Sequence, residues 1–287
     1  MVTGSGGGRP RLSWHHIQRR VEGIGFYLLV LVVALPAAFV FFWMLSLSLK
    51  PQVESTAYPP IFISRQPTFR AYGEVFAKNP FFKYTKNSLI VGLGSTALAL
   101  AVGLPAAYSI ARWKQQRLAL GILVARMTPG LSYLVPWFIM FKRIGLTDNY
   151  LSLILTHLII SLPLVIWVMI GFFEDLPSEL EDAARVDGCT TFGFFHRIAI
   201  PLTQPGIVAT AILSFIFSWN NFFVSVIIAG PNTRTLPVAV FNMMTYEEIN
   251  WGPLAAAATM VTLPVLVMTL LMQRQIVSGL TFGAVKG

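Results

Sequence analysis

The run Leu151–Phe173, LSLILTHLIISLPLVIWVMIGFF, contains no Asp, Glu, Lys or Arg. A helix rises about 1.5 Å per residue, so this run is long enough to cross roughly 30 Å of hydrocarbon. Five further runs read the same way: Gly25–Leu49, Ser88–Ala111, Leu118–Phe141, Gly206–Ala229 and Leu254–Met272. Their one charged residue is Arg126. Backbone in lipid must satisfy its own hydrogen bonds, which selects helices over open strands. A membrane barrel would need shorter segments alternating apolar and polar residues, and the sequence has none. The expected fold is an all-α integral membrane bundle of six transmembrane helices.

Composition agrees. Of 287 residues 55% are hydrophobic and 11% charged, with mean hydropathy +0.67, whereas soluble domains carry about 25% charged residues. The net charge of +9 raises nucleic acid as a partner, but no compact basic stripe with interleaved aromatics exists, and Lys and Arg gather at span ends as membrane orientation requires. Cys189 is the only cysteine, which excludes an intramolecular disulfide and a cysteine metal cluster.

The organisation is then a tail over 1–24, a six-helix domain over 25–279 and a short tail over 280–287. Gly25–Leu49 is too long, and begins too late, for a signal peptide, and no small-residue cleavage site follows it, so it reads as a retained anchor. Prolines at 36, 105, 129, 136, 163 and 264 lie inside spans, where kinks are tolerated if neighbours re-satisfy the backbone. Arg9, Arg11, Arg19 and Arg20 before the first span, and Arg112, Lys114 and Arg117 after the second, argue for cytoplasmic placement of both; Lys142 and Arg143 oppose it. Six spans put both termini on that side.

The segment 174–204 differs in kind. Six of the twelve acidic residues fall within it: Glu174, Asp175, Glu179, Glu181, Asp182 and Asp187. Ser178 followed by Glu181 has capping-box spacing, so a helix is expected from about Glu179, with Gly188 ending it. Helical spacing puts Leu180, Ala183, Ala184, Asp187 and Gly188 on one side, with Glu181 and Arg185 elsewhere. A second short helix is expected from Thr191, amphipathic through Phe192, Phe195, Ile198 and Ala199 and stopped by Pro201. Two readings fit: a wet surface helix lying along the membrane, or a small-faced knob on which a cytoplasmic partner docks.

Asp182-Ala183-Ala184, three residues, Gly188, nine residues and then Ile198-Ala199-Ile200-Pro201 resembles the Glu-Ala-Ala loop of ABC importer permeases, with Asp182 for Glu and Ile200 for Leu. Phe195-His196-Arg197, Ser218-Trp219-Asn220 and the tail from Gly279 to Gly287 resemble the carbohydrate, maltose-permease-like branch, over essentially the whole chain from residue 25. The resemblance implies a bacterial inner-membrane protein whose coupling helix, carrying Glu181, Asp182, Ala183, Ala184, Arg185, Asp187 and Gly188, fits a separate ATPase subunit. It further implies two such ATPases using ATP and magnesium, a second homologous permease, and a periplasmic or lipid-anchored solute-binding protein. Closure of the ATPases would switch the permease pair from inward- to outward-facing. This chain has no P-loop and no Gly-Lys pair, so it binds no nucleotide by that motif.

Other features weigh less. Gly92-Leu-Gly94-Ser-Thr-Ala97 fits a dinucleotide fingerprint nominally but lies within a span, where small residues pack helices. Arg126 should face the bundle interior, a cavity or carbonyls. Trp219, Asn220 and Asn221, and more weakly Tyr133 and Trp137, either lock helices together or line a path for a sugar ring. His157 reads as a packing residue, and the four histidines lack metal-ligand spacing. The rival class is an ion-driven secondary carrier or channel, and it would need intramembrane carboxylates, which no span has.

Overall fold

The computed structural model describes residues 14–127, 130–244 and 249–281. Among them the chain is helical, without strands. The helices that position everything else are α1 (Trp14–Ser48), α4 (Phe81–Arg112), α7 (Tyr150–Glu174), α11 (Gln204–Trp219) and α14 (Trp251–Thr281). Four helices are long and apolar enough to cross a membrane singly, and two bent pairs bring the number to six.

Side-chain pairs along α4 set the topology. Asn87 meets Tyr150, Gly94 meets Ile154 and Gly103 meets Val165, and Tyr108 meets Phe173. Helices α4 and α7 therefore run in the same direction. Gly92 lies against Phe215 and Gly206 against Phe172, so α11 runs opposite to both. A Cβ on Gly92, Gly94 or Gly103 would come within 2.6–2.8 Å of those neighbours, and so the fingerprint-like glycines serve close helix packing. The last turns of α1 (Trp43, Leu47) face the first turns of α14 (Trp251, Leu254, Ala258). Both chain-terminal helices thus point their free ends toward the end of the bundle where α4 and α7 finish.

Several sequence expectations change. The helices outrun the apolar stretches: α1 begins at Trp14, within the expected tail, and α4 begins at Phe81, because charged and aromatic residues at a membrane surface do not end a helix. Prolines 36, 105, 136, 163 and 264 sit inside helices that continue through them; Pro129 and the tail after Thr281 lie outside the described residues. The run Leu118–Phe141 is two helices, α5 (Gln116–Met127) and α6 (Leu131–Arg143), with Gln116–Met127 and Ser132–Arg143 at 89°. Arg126 is exposed in the last turn of α5 rather than facing the interior of this chain's bundle. The run Gly206–Ala229 also breaks after Trp219 and resumes as α12 (Phe223–Ile228), because Asn221 Oδ1 accepts from the Val224 amide at 3.1 Å and starts a new helix. Outside the spans lie α2 (Gln52–Ser55), α3 (Arg70–Lys78) and α13 (Leu236–Phe241), all at the end opposite the finish of α4.

Candidate functional site

The acidic segment forms α8 (Ser178–Val186). It starts at Ser178 without side-chain capping, so the expected capping box is absent. Glu179 and Glu181 still complement the helix dipole from the first turn and Arg185 from the last. Gly188, at φ +81°, ends the helix as expected, and the Cys189 amide reaches the Ala184 carbonyl at 2.8 Å.

What draws Glu181 from its capping role is the end of α4. Its carboxylate, 7% exposed, forms an ion pair with Arg112, another with Arg185 Nη2 at 2.8 Å, and accepts from Tyr108 Oη at 3.3 Å. Glu181 and Ala184 are thus the buried face, a correction to the expected arrangement. Leu180, Asp182, Ala183, Asp187 and Gly188 are exposed, and Val186 is 88% exposed. With Leu180 at 40% exposure, Val186 leaves apolar surface on the solvent side of this short helix.

The next segment braces the same corner. Thr190 Oγ1 accepts from the Gly193 amide at 3.1 Å, capping α9 (Thr191–Phe194). A π-helical turn, Phe195–Ala199, and α10 (Ile200–Leu202) continue it. The helix ends at Leu202, one residue beyond the stop expected at Pro201. Phe194, Phe195 and Ala199 are buried, with Phe194 and Phe195 packed around Tyr108, while Phe192 is 72% exposed. Thr191–Leu202 meets α11 at 78°, a corner eased by Pro205 in the first turn of α11.

Within the bundle a polar chain crosses four helices. Ser95 Oγ and Ser218 Oγ are 3.0 Å apart, His157 Nδ1 is 2.6 Å from Ser218 Oγ, and its Nε2 is 3.3 Å from Ser225 Oγ. His157 is a packing residue in this chain, 2% exposed. Trp219 is also buried and donates through Nε1 to the Val261 carbonyl at 3.1 Å, so it joins α11 to α14 instead of facing a path. Asn221 serves the α12 cap. Asn220 alone of this trio is exposed, at the break between α11 and α12. Tyr133 and Trp137 line an apolar cleft of about 460 Å³ between α6 and α7.

The opposite end holds a second cluster that composition did not reveal. Asp148, at φ +54° in the loop before α7, accepts through Oδ1 from the Thr233 amide at 2.9 Å and its hydroxyl at 2.8 Å, and through Oδ2 from Asn232 Nδ2 at 2.9 Å. Burial alone would push this carboxyl up, but the hydrogen bonds from Thr233 and Asn232 outweigh it and hold it below the usual range. Asn87 donates to the Asn232 and Arg234 carbonyls at 2.9 and 2.8 Å and accepts from Tyr150 Oη at 2.7 Å. A Cβ on Gly230 would lie 2.5 Å from Asp148 Cγ, so only glycine fits there.

The family described as binding-protein-dependent transport system inner membrane component matches residues 99–280. The chain is 39% identical over 252 residues to the trehalose transport system permease protein SugB of Mycobacterium tuberculosis, covering 85% of this chain and 91% of that one. It is 34% identical to the sulfoquinovosyl glycerol transport system permease protein SmoH of Agrobacterium fabrum, covering 85% and 87%. Among solved structures, a bacterial ABC transporter that imports the acidic polysaccharide alginate superposes with TM-score 0.76 at 19% identity, over 93% of this chain and 99% of that chain. That likeness is one of fold. The chain belongs to the binding-protein-dependent transport system inner membrane components: it is a multi-pass inner-membrane transport subunit and not an enzyme.

Proposed function

We propose that this chain is the permease subunit of an ATP-driven importer for a carbohydrate or sugar-like solute, with α8 as its coupling helix. The observation that carries the reading is the two-faced character of α8. Glu181 and Ala184 fix it to the end of α4, while Asp182, Ala183, Val186 and Asp187 stand bare toward solvent. A partner pressing on that bare face moves α8, and the Glu181–Arg112 pair passes the displacement to a helix 32 residues long. The partner is a separate ATPase subunit, two per transporter, which supplies ATP and magnesium; a second permease completes the pair, and a periplasmic or lipid-anchored binding protein delivers the solute. Both termini and α8 are then cytoplasmic. The sugar reading rests on relatives named for trehalose and sulfoquinovosyl glycerol transport. Asn220, exposed where α11 breaks, is the residue of this chain best placed to meet the solute, with Tyr133 and Trp137 behind it as weaker candidates.

The test is Val186→Asp with Ala183→Arg, both on the bare face, in the co-expressed complex. Loss of the ATPase subunit on purification, with the permease pair still folded, is the expected result. Retention of the ATPase with unaltered ATP-driven uptake would overturn the reading.

A further inference from the structure

At the end opposite α8 the segment after α1, helix α3 and the start of α14 enclose a polar pocket of about 630 Å³. Lys50, Gln52, Gln66, Thr68, Arg70 and Asn250 line it. Lys50 is 3% exposed, its Nζ lies 4.2 Å from the centre of the Trp43 ring, and it has no ion pair among the described residues. Among the described residues, the nearby carboxylates Glu74 and Glu54 have partners of their own. Glu74 is held by Arg70 at 3.0 Å and Lys78 at 3.1 Å, and Glu54 accepts from Ser64 Oγ at 2.6 Å and the Arg65 amide at 3.3 Å. Among the described residues the lining carries three cations, Lys50, Arg70 and Lys78, against the one carboxylate of Glu74. Burial lowers the Lys50 pKa, with Glu54 partly opposing, which is the state of an ammonium that lacks a close counter-charge.

We propose that this pocket receives an acidic side chain, Asp or Glu, of the solute-binding protein when it docks on the outer face. Among the described residues the walls carry no aromatic ring, unlike a small-molecule site, which is mostly apolar and aromatic. Most of the lining comes from the segment after α1 and from α3, outside the candidate spans, with Gly252 and Pro253 contributed by the first turn of α14. Cations around a buried lysine suit the polar part of a protein interface, where a carboxylate from the partner fixes register and speeds encounter. The inference rests on the import reading above, with which it shares the binding protein.

The experiment uses the complete transporter in nanodiscs and measures the Kd of its binding protein, with Lys50→Met, Gln66→Glu and Gln66→Lys against wild type. Lys50→Met keeps the stem over Trp43 and removes the charge, while Gln66 is exposed at the rim, so its variants do not challenge folding. Lys50→Met and Gln66→Glu should each weaken binding about tenfold at low salt. The effect of the exposed rim charge in Gln66→Glu should fade at high salt, whereas that of the buried Lys50 should largely persist, because desolvated pairs are screened much less. Gln66→Lys should bind at least as tightly as wild type. Unchanged affinity in Gln66→Glu, or a Gln66→Glu loss independent of salt, would overturn the proposal. A loss seen only with binding protein carrying an acidic solute would assign the site to the solute, and a loss confined to nanodiscs with anionic lipid would assign it to a phosphate headgroup; either overturns it. ATP hydrolysis without binding protein should be the same in all variants. If the wild-type complex neither hydrolyses ATP nor binds a solute-binding protein, the import reading itself fails, and that outcome is distinct from the others.

Discussion

The two ends of α4 are tied down by different chemistry. At its finish, Arg112 and Tyr108 meet one carboxylate, Glu181, through long side chains. At its start, Asn87 and Ser88 bond main-chain groups of residues 232–236, and Asp148 holds the amides of Asn232 and Thr233. A side-chain ion pair tolerates rotation of either partner, whereas side chains locked onto backbone fix both position and angle. The first end is therefore a joint and the second a rivet. Under the proposed coupling role of α8, a subunit that rocks as a body while that helix follows an ATPase would use this division.

The largest way to break the contrast is Arg112→Met. It leaves Glu181 buried beside Tyr108 with only the exposed Arg185 as counter-ion, and removing one partner of a buried pair costs on the order of 3 kcal/mol. Hydrogen exchange across residues 178–202 should accelerate strongly, while residues 230–236 stay protected. Acceleration at both ends would mean that the two ends are one cooperative unit and not joint and rivet.

Gly230→Ala attacks the other end. The new methyl would sit 2.5 Å from Asp148 Cγ, and such overpacking costs about 1–3 kcal/mol. Exchange should rise over 230–236 and spare α8, the mirror image of the Arg112 result.

How much of this contrast was legible in sequence depends on the range of the interaction. The spans were legible because hydropathy over twenty residues is a sum that no single contact can reverse. Gly188 was legible because its left-handed conformation is a local demand. Glu181 was misread as a capping residue since its spacing from Ser178 is local, while the arginine that claims it lies sixty-nine positions earlier. Asp148 has the same cause: its partners at 232 and 233 are distant in sequence, and a lone aspartate beside a loop asparagine carries no pattern. Trp219 and Asn220 are adjacent, yet one is buried and one exposed, because the helix ends between them; composition cannot place that break to the residue.

Acid sharpens the rivet. The folded Asp148 carboxyl titrates below its ordinary value of 3.8, so its stabilisation is fully present above that pH and is lost as pH falls through the lower, folded value. Protection at 230–236 should hold from neutrality to about pH 5 and fall only in stronger acid. Asp148→Asn should weaken protection by about 1 kcal/mol between about pH 5 and neutrality, a gap that closes in stronger acid, and should remove its acid dependence, since the charge assistance to the hydrogen bonds is gone. An Asn variant that keeps the acid-dependent loss would place the titrating group elsewhere.

The smallest expected effect is the most discriminating. Arg185 makes the second ion pair to Glu181, at 2.8 Å, but its side chain is 61% exposed against 17% for Arg112. An exposed pair within one helix is worth about 0.3–0.5 kcal/mol, so Arg185→Gln should barely change exchange in α8. If Glu181 were held by its own helix, the two arginine variants would be equally damaging, and α8 would be a self-contained knob with no grip on α4. In a double-mutant cycle, the coupling of Glu181→Gln to Arg112→Met should therefore exceed its coupling to Arg185→Gln several-fold. Equal coupling would remove the joint, and with it the route by which a push on Val186 reaches the membrane.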